Sequence, residues 1–89
     1  MVNIPIVSNF EGDFVLQLVE IEMGDSMDVV AEKCAYHSIG RRVKPRPGTR
    51  LRVRLQDAAL AFGRKQTVAE AGLQSMDTLE IFFEMLAEE

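Results

Sequence analysis

The sequence predicts an α+β domain, a mixed sheet of four to five strands with one main helix packed across it. Three observations lead there. Two runs in the second half, RLRVRLQ at 50–56 and TLEIFFEM at 78–85, alternate apolar and polar residues with period two. A capped run from Met27 to about Ile39 repeats its apolar residues with helical spacing. Two apolar-rich runs near the start, 3–10 and 14–22, are separated by Glu11-Gly12-Asp13. A helix stripe and several half-buried strands must bury their faces against one another, and one helix across one sheet is the economical way to do so.

Taken in order, 3–10 and 14–22 predict a hairpin, since Gly and Asp suit a tight turn. Pro5 lacks a ladder donor and belongs where its nitrogen faces no neighbour. Strand 14–22 is apolar on both faces, with Phe14, Leu16 and Leu18 on one side and Val15, Val19 and Ile21 on the other. Either a bulge switches its faces midway, or another protein covers the outer one. Asp25 or Ser26 caps the helix. Met27, Val30, Cys34 and Ser38, flanked by Ala31, form its inner stripe, and Gly40, Pro45 and Pro47 end it. In strand 50–56, Leu51, Val53 and Leu55 face one way and three arginines the other. Residues 57–66 are weaker, with Leu60 and Phe62 suggesting a short strand. Thr67 caps about one turn ending at Gly72. In the last strand, Leu79, Ile81, Phe83 and Met85 face one way, and Glu80, Phe82 and Glu84 the other. Placing the first and last strands centrally gives the β-grasp arrangement.

Eighty-nine residues make one domain over 1–89, with a modest core. A single cysteine excludes an internal disulfide and fits a reducing compartment. The start, MVNIPIVSNF, has no basic n-region, and no stretch approaches the ~20 apolar residues of a membrane span. A cytoplasmic protein without membrane contact is expected. The net charge of −4 hides an asymmetry: residues 41–54 hold seven of the ten basic side chains and no acid. Nucleic-acid binding would want aromatics among these bases, and there are none. An antiparallel pairing of strand 50–56 with the last strand would set Arg50, Arg52 and Arg54 beside Glu80 and Glu84. Each such pair is worth roughly 0.2–1 kcal/mol. That leaves Arg41, Arg42, Lys44 and Arg46 without assigned partners.

Cys34, Tyr36 and His37 invite a reading as a reaction centre. Residues i and i+3 on a helix are neighbours, but Cys34 lies mid-stripe, where burial suppresses its reactivity. His37 falls at the edge of the stripe and reads as a half-buried imidazole bonded to a carbonyl or a partner group. Zinc wants about four ligands with matched spacing, and one Cys with one His falls short. Di-iron carboxylate bundles use Glu-x-x-His on two helices, whereas here Glu32 and His37 stand five apart. No Gly-rich phosphate loop and no triad spacing occur. The expected sets of catalytic, cofactor-binding and metal-binding residues are therefore empty. Conjugation or sulfur transfer would need a terminal Gly-Gly, and the chain ends Met85-Leu86-Ala87-Glu88-Glu89. What remains is surface. Val29 and Tyr36 lie opposite the inner stripe, His37 at its edge, Phe82 between two glutamates, and Arg41, Arg42, Lys44 and Arg46 in the loop. These eight are the partner-interface candidates, and the loop is expected to meet acidic partner groups.

GDSMDVVAEKC, the prolines after the helix, and TVAEAGLQSMDTLEIFF together resemble ubiquitin. A longer match is carried by FEGDFVLQLVEIE, DSMDVVAEKCAYHSIGRRVKPRPG and TVAEAGLQSMDTLEI. These resemble the small gamma subunit, or B component, of bacterial toluene and related aromatic or alkene monooxygenases. The resemblance implies a ubiquitin-like, non-catalytic subunit docked on the helical core of a hydroxylase. That hydroxylase would be a dimer of three-chain units, with a carboxylate-bridged di-iron centre in its large chain and a second hydroxylase subunit beside it. A ferredoxin, a reductase and an effector protein complete such systems. The C-terminus, FFEMLAEE, is longer and more acidic than that pattern. A free-standing ubiquitin-like adaptor without conjugation activity is the alternative function.

Overall fold

The computed structural model describes residues 2–40 and 42–86. Six elements follow in order: β1 (Asn3–Phe10), β2 (Gln17–Glu22), α1 (Met27–Ser38), β3 (Thr49–Leu55), α2 (Val68–Ala71) and β4 (Thr78–Met85). The sheet order is β2-β1-β4-β3, so the first and last strands are central, as the pattern predicted. β1 runs antiparallel to β2 and parallel to β4, and β3 runs antiparallel to β4. α1 lies across one face. The buried residues Ile6, Phe10, Val19, Ile21, Val53, Leu79 and Ile81 from the sheet meet Met27, Val30, Ala31 and Cys34 from the helix. Each such aliphatic or aromatic side chain contributes about 1.5–3 kcal/mol when fully buried.

Ser26, rather than Asp25, is the N-cap: its side chain accepts from the Val29 N–H at 3.3 Å. Asp25 instead accepts from the Glu22 N–H at 3.0 Å and pairs with Lys33 at 2.6 Å. α2 has a full capping box between Thr67 and Glu70, and Gly72 closes it in the left-handed region at φ 72°.

Two expectations are corrected. β2 begins at Gln17, not at residue 14, so the link between β1 and β2 is a six-residue loop rather than a tight turn. The cause is Asp13. Its carboxylate accepts from the Val15 N–H at 3.0 Å and takes that donor out of any ladder. No fifth strand forms at 60–62. Asp57 turns the chain at φ 68°, and the one backbone bond from 60–62 to β3 is from the Phe62 N–H to the Val53 carbonyl at 2.8 Å. The register of β1 with β2 runs unbroken from Ser8↔Gln17 to Asn3↔Glu22, so no bulge switches the faces of β2.

Candidate partner-binding surface

The end of the molecule where α1 finishes gathers the β1–β2 loop, the 42–48 loop and the end of β4. Two carboxylates tie it together. Asp13, with no accessible side-chain surface, accepts from the Ser38 hydroxyl at 2.8 Å and from Arg42 Nε at 2.8 Å, besides Val15. The Arg42 hydrogen bond is the main cause that holds the Asp13 carboxyl down at about 2. Arg42 also donates to the His37 carbonyl at 2.9 Å and so caps the last turn of the helix. Glu11 accepts from the Phe83 N–H at 2.8 Å and from Arg46 at 3.2 Å. The Arg46 guanidinium also stacks 4.4 Å over the Phe83 ring. Gly12, at φ 86°, makes the intervening turn.

The face of the sheet away from α1 shows the predicted pairing. The register sets Arg50 opposite Glu84, Arg52 opposite Phe82 and Arg54 opposite Glu80. Arg54 Nε donates to Glu80, and Arg52 donates to Glu84 at 2.9 and 3.1 Å, while Arg50 stands 3.6 Å from Glu84. Arg54 also covers the Phe82 ring at 4.8 Å. A shallow open depression lies here, lined in part by Asn9, Glu11, Arg54, Glu80 and Phe82. It holds no nucleophile and no histidine.

The predicted candidates therefore do not form one surface. Tyr36, 70 % exposed, sets its ring edge-on to His37 at 5.4 Å, and the His37 backbone carbonyl accepts from Arg42 at the end of the helix. Val29 is half-buried near the start of the helix. Phe82 is half-buried on the opposite face of the sheet. Arg41 lies outside the described residues. Lys44 is exposed. The premise of an unpaired basic loop is corrected for Arg42 and Arg46, which the chain's own Asp13 and Glu11 neutralise. Sequence reading missed these two acids because each lies about thirty residues from its arginine; the helix-to-hairpin closure joins them. Besides Tyr36, exposed apolar residues lie outside the candidate set, among them Phe14 at 87 %, Leu16 at 60 % and Leu18 at 61 %.

Chemistry within the chain is limited. Cys34 is fully buried, and burial pushes its thiol up to about 11, partly offset by the Ser8 hydroxyl. A thiol so protonated is a poor nucleophile. Among the described residues no group of three or more His, Cys, Asp or Glu side chains stands together as a metal site.

Fold and surface together define a β-grasp domain of the ubiquitin-like kind. Two solved structures at low identity bear on the fold alone. A Caldiarchaeum subterraneum ubiquitin matches with a TM-score of 0.68 at 13 % identity, over 97 % of this chain and 99 % of that one. A chain of a MycP5-free ESX-5 inner membrane complex matches with a TM-score of 0.76 at 16 % identity, over 98 % of this chain and 22 % of that one. Residues 3–83 match the family described as toluene-4-monooxygenase system protein B (TmoB), and the chain belongs to that family. The hydroxylase component subunit gamma of the toluene-4-monooxygenase system of Ectopseudomonas mendocina is 46 % identical over 80 residues, 90 % of this chain and 94 % of that protein. The oxygenase component subunit gamma of the alkene monooxygenase system of Xanthobacter autotrophicus is 51 % identical over 43 residues, 48 % of this chain and 49 % of that protein. A chain from a toluene 4-monooxygenase HD complex with the inhibitor 4-bromobenzoate superposes with a TM-score of 0.89 at 44 % identity, over 93 % of this chain and all of that one.

Proposed function

We propose that this chain is the gamma subunit of the hydroxylase of a multicomponent aromatic or alkene monooxygenase, and that it braces its companion chains without doing chemistry itself. The observation that carries the reading is the 46 % identity to a hydroxylase gamma subunit across nearly the full length of both proteins. The side-chain inventory supports it. The single histidine stands beside a tyrosine ring and an arginine, and the single thiol is sealed in the core. A di-iron carboxylate site takes four glutamates and two histidines from long helices. The residues of this chain do not fit that group, so the iron belongs to a large companion chain. In the same proposal a second hydroxylase subunit completes a three-chain unit that pairs into a dimer. A ferredoxin, a reductase and an effector protein then supply a reaction dependent on O2 and NADH in the cytoplasm. No helix among the described residues is long and apolar enough to cross a membrane.

The test is co-expression with the large and second hydroxylase chains of the same system. The expected result is stoichiometric co-elution through high salt, with iron found in the complex and substrate turnover once the ferredoxin, reductase, effector protein and NADH are added. An isolated chain that oxidises a hydrocarbon or retains stoichiometric iron refutes the non-catalytic role. Separate elution of all three chains refutes the subunit role.

A further inference from the structure

The two edges of the sheet are treated differently. β3 carries three arginines on its outer face, the Phe62 N–H occupies its Val53 carbonyl, and Arg52 in turn holds the Phe62 carbonyl at 2.9 Å. Charged side chains and a covering loop are the usual ways to blunt an edge. β2 has no covering loop, and along its middle Glu20 is its one charged side chain. The Val7 N–H donates to Asp77 and the Pro5 carbonyl accepts from Met76, so the odd-numbered groups of β1 face β4. Ile6 and Ser8 therefore face β2, bonding Val19 and Gln17. By alternation the backbone N–H and C=O groups of Leu18 and Glu20 point away from the sheet. The Leu18 side chain stands exposed on the outer face, and Leu16 and Phe14 continue the apolar series beyond the strand start. Together the three residues expose about 400 Å², backbone included, within the size range of the largest apolar patch on a typical monomer. That is about half of what one partner contributes to a standard interface. Glu20 borders this rim, and its hydrogen bond is a long one from Asn3 at 3.5 Å, whereas most of the chain's other acids near a base are paired with it.

We propose that a companion hydroxylase chain seats on the rim of Phe14, Leu16 and Leu18 at the open edge of β2, through an apolar ridge that carries a basic side chain opposite Glu20. The proposal rests on the gamma-subunit reading and names the face that serves it. The occupant follows from three features together: an uncovered apolar rim, open backbone donors and acceptors beside it, and one uncompensated carboxylate at its border. The opposite edge differs: the Phe62 N–H occupies the middle of β3, and its arginines and the glutamates of β4 pair with one another.

The experiment measures binding of the folded chain to the purified hydroxylase lacking it. The variants are the pair Leu16→Asp and Leu18→Asp, then Glu20→Lys, with Leu60→Asp as the control at an exposed site across the molecule. The double variant is expected to raise Kd by at least about thirtyfold, Glu20→Lys by about five- to tenfold, and the control by less than about threefold. Circular dichroism checks that each isolated variant folds. Hydrogen exchange of the wild type provides a reading free of mutation: the Leu18 and Glu20 amides should exchange at least about tenfold more slowly in the complex. Tight binding of wild type and double variant alike, with those amides unprotected, overturns the proposal and leaves the subunit role standing. If the wild type does not bind at all, the subunit role falls and takes this face with it. If the isolated chain dimerises through the rim and hydroxylase binding survives the double variant, the edge serves a second copy and the proposal is wrong.

Discussion

Asp13→Asn tests the joint between the β1–β2 loop and the end of α1. The wild-type carboxylate accepts three hydrogen bonds, from the Val15 N–H, the Ser38 hydroxyl and the Arg42 guanidinium. An amide can keep its oxygen toward the Val15 N–H and Arg42, but it loses the negative charge that faces the guanidinium and sets an NH2 against Ser38, whose hydroxyl must reverse from donor to acceptor. The carboxyl sits at about 2 against an ordinary 3.8, chiefly because of the Arg42 hydrogen bond. Converted in full, that depression is worth about 2.4 kcal/mol at neutral pH. Solvent around the exposed guanidinium screens the pair, which leaves on the order of 1–2 kcal/mol. The folded state holds the proton more weakly than the unfolded chain. The contribution is therefore complete above the unfolded value of 3.8 and is lost as pH falls through about 2. Thermal melts of the isolated chain at pH 7 should show the variant roughly 5–12 °C below wild type. Repeated between pH 5 and pH 2, the two melting curves should converge as the wild-type carboxyl takes up its proton. A constant gap across that range, or no gap at pH 7, refutes the assignment of Asp13 as the charged fastener of this joint.

The buried thiol gives a second expectation. Native Cys34 should react with a thiol reagent at pH 8 at least about a hundredfold more slowly than in denaturant. Because the native state retains a proton that the unfolded chain releases above 9, its stability should fall as pH rises toward 11. Fast native labelling contradicts the sealed core. Ser8 supplies a third: its hydroxyl is buried with no conventional hydrogen-bond partner and meets the Cys34 thiol only weakly. Ser8→Ala should therefore leave stability unchanged or raise it by up to about 1 kcal/mol. A loss above about 1 kcal/mol in a denaturant titration points to a structural hydrogen bond that this reading lacks.

Elements with strong periodicity were legible. The alternation in RLRVRLQ and TLEIFFEM determined which side chains meet, and Arg54 does lie opposite Glu80 and Arg50 opposite Glu84. The inner stripe of α1 was legible too, with Met27, Val30, Ala31, Cys34 and Ser38 all buried. The misreadings share one cause, a local turn that overrides strand-forming side chains. Phe14 and Val15 have strand-forming side chains, yet the Asp13 carboxylate claims the Val15 N–H and bends the chain first. Leu60 and Phe62 alternate as a strand would, yet the left-handed turn at Asp57 leaves them one ladder bond. The apolar rim at Phe14, Leu16 and Leu18 was visible as a second apolar face on one strand. Whether a bulge consumed it depended on the register, which the sequence pattern does not determine when both faces are apolar.

The charge asymmetry, the most conspicuous feature of the sequence, is largely spent inside the molecule. Five of the seven bases in 41–54 close onto Glu11, Asp13, Glu80 and Glu84. Such pairs, exposed and salt-screened, contribute little each to stability, but they fix geometry: they hold the loop after α1 against the hairpin and align β3 on β4. A partner attracted to this run would have to break those pairs and desolvate both members, at a cost that rim charges rarely recover. An apolar edge carries no such cost, since covering Leu16 and Leu18 removes water from surface that gains nothing from it. For a subunit whose work is to stay attached, the informative remnant is therefore the uncharged stretch at 14–18 and not the basic run that draws the eye.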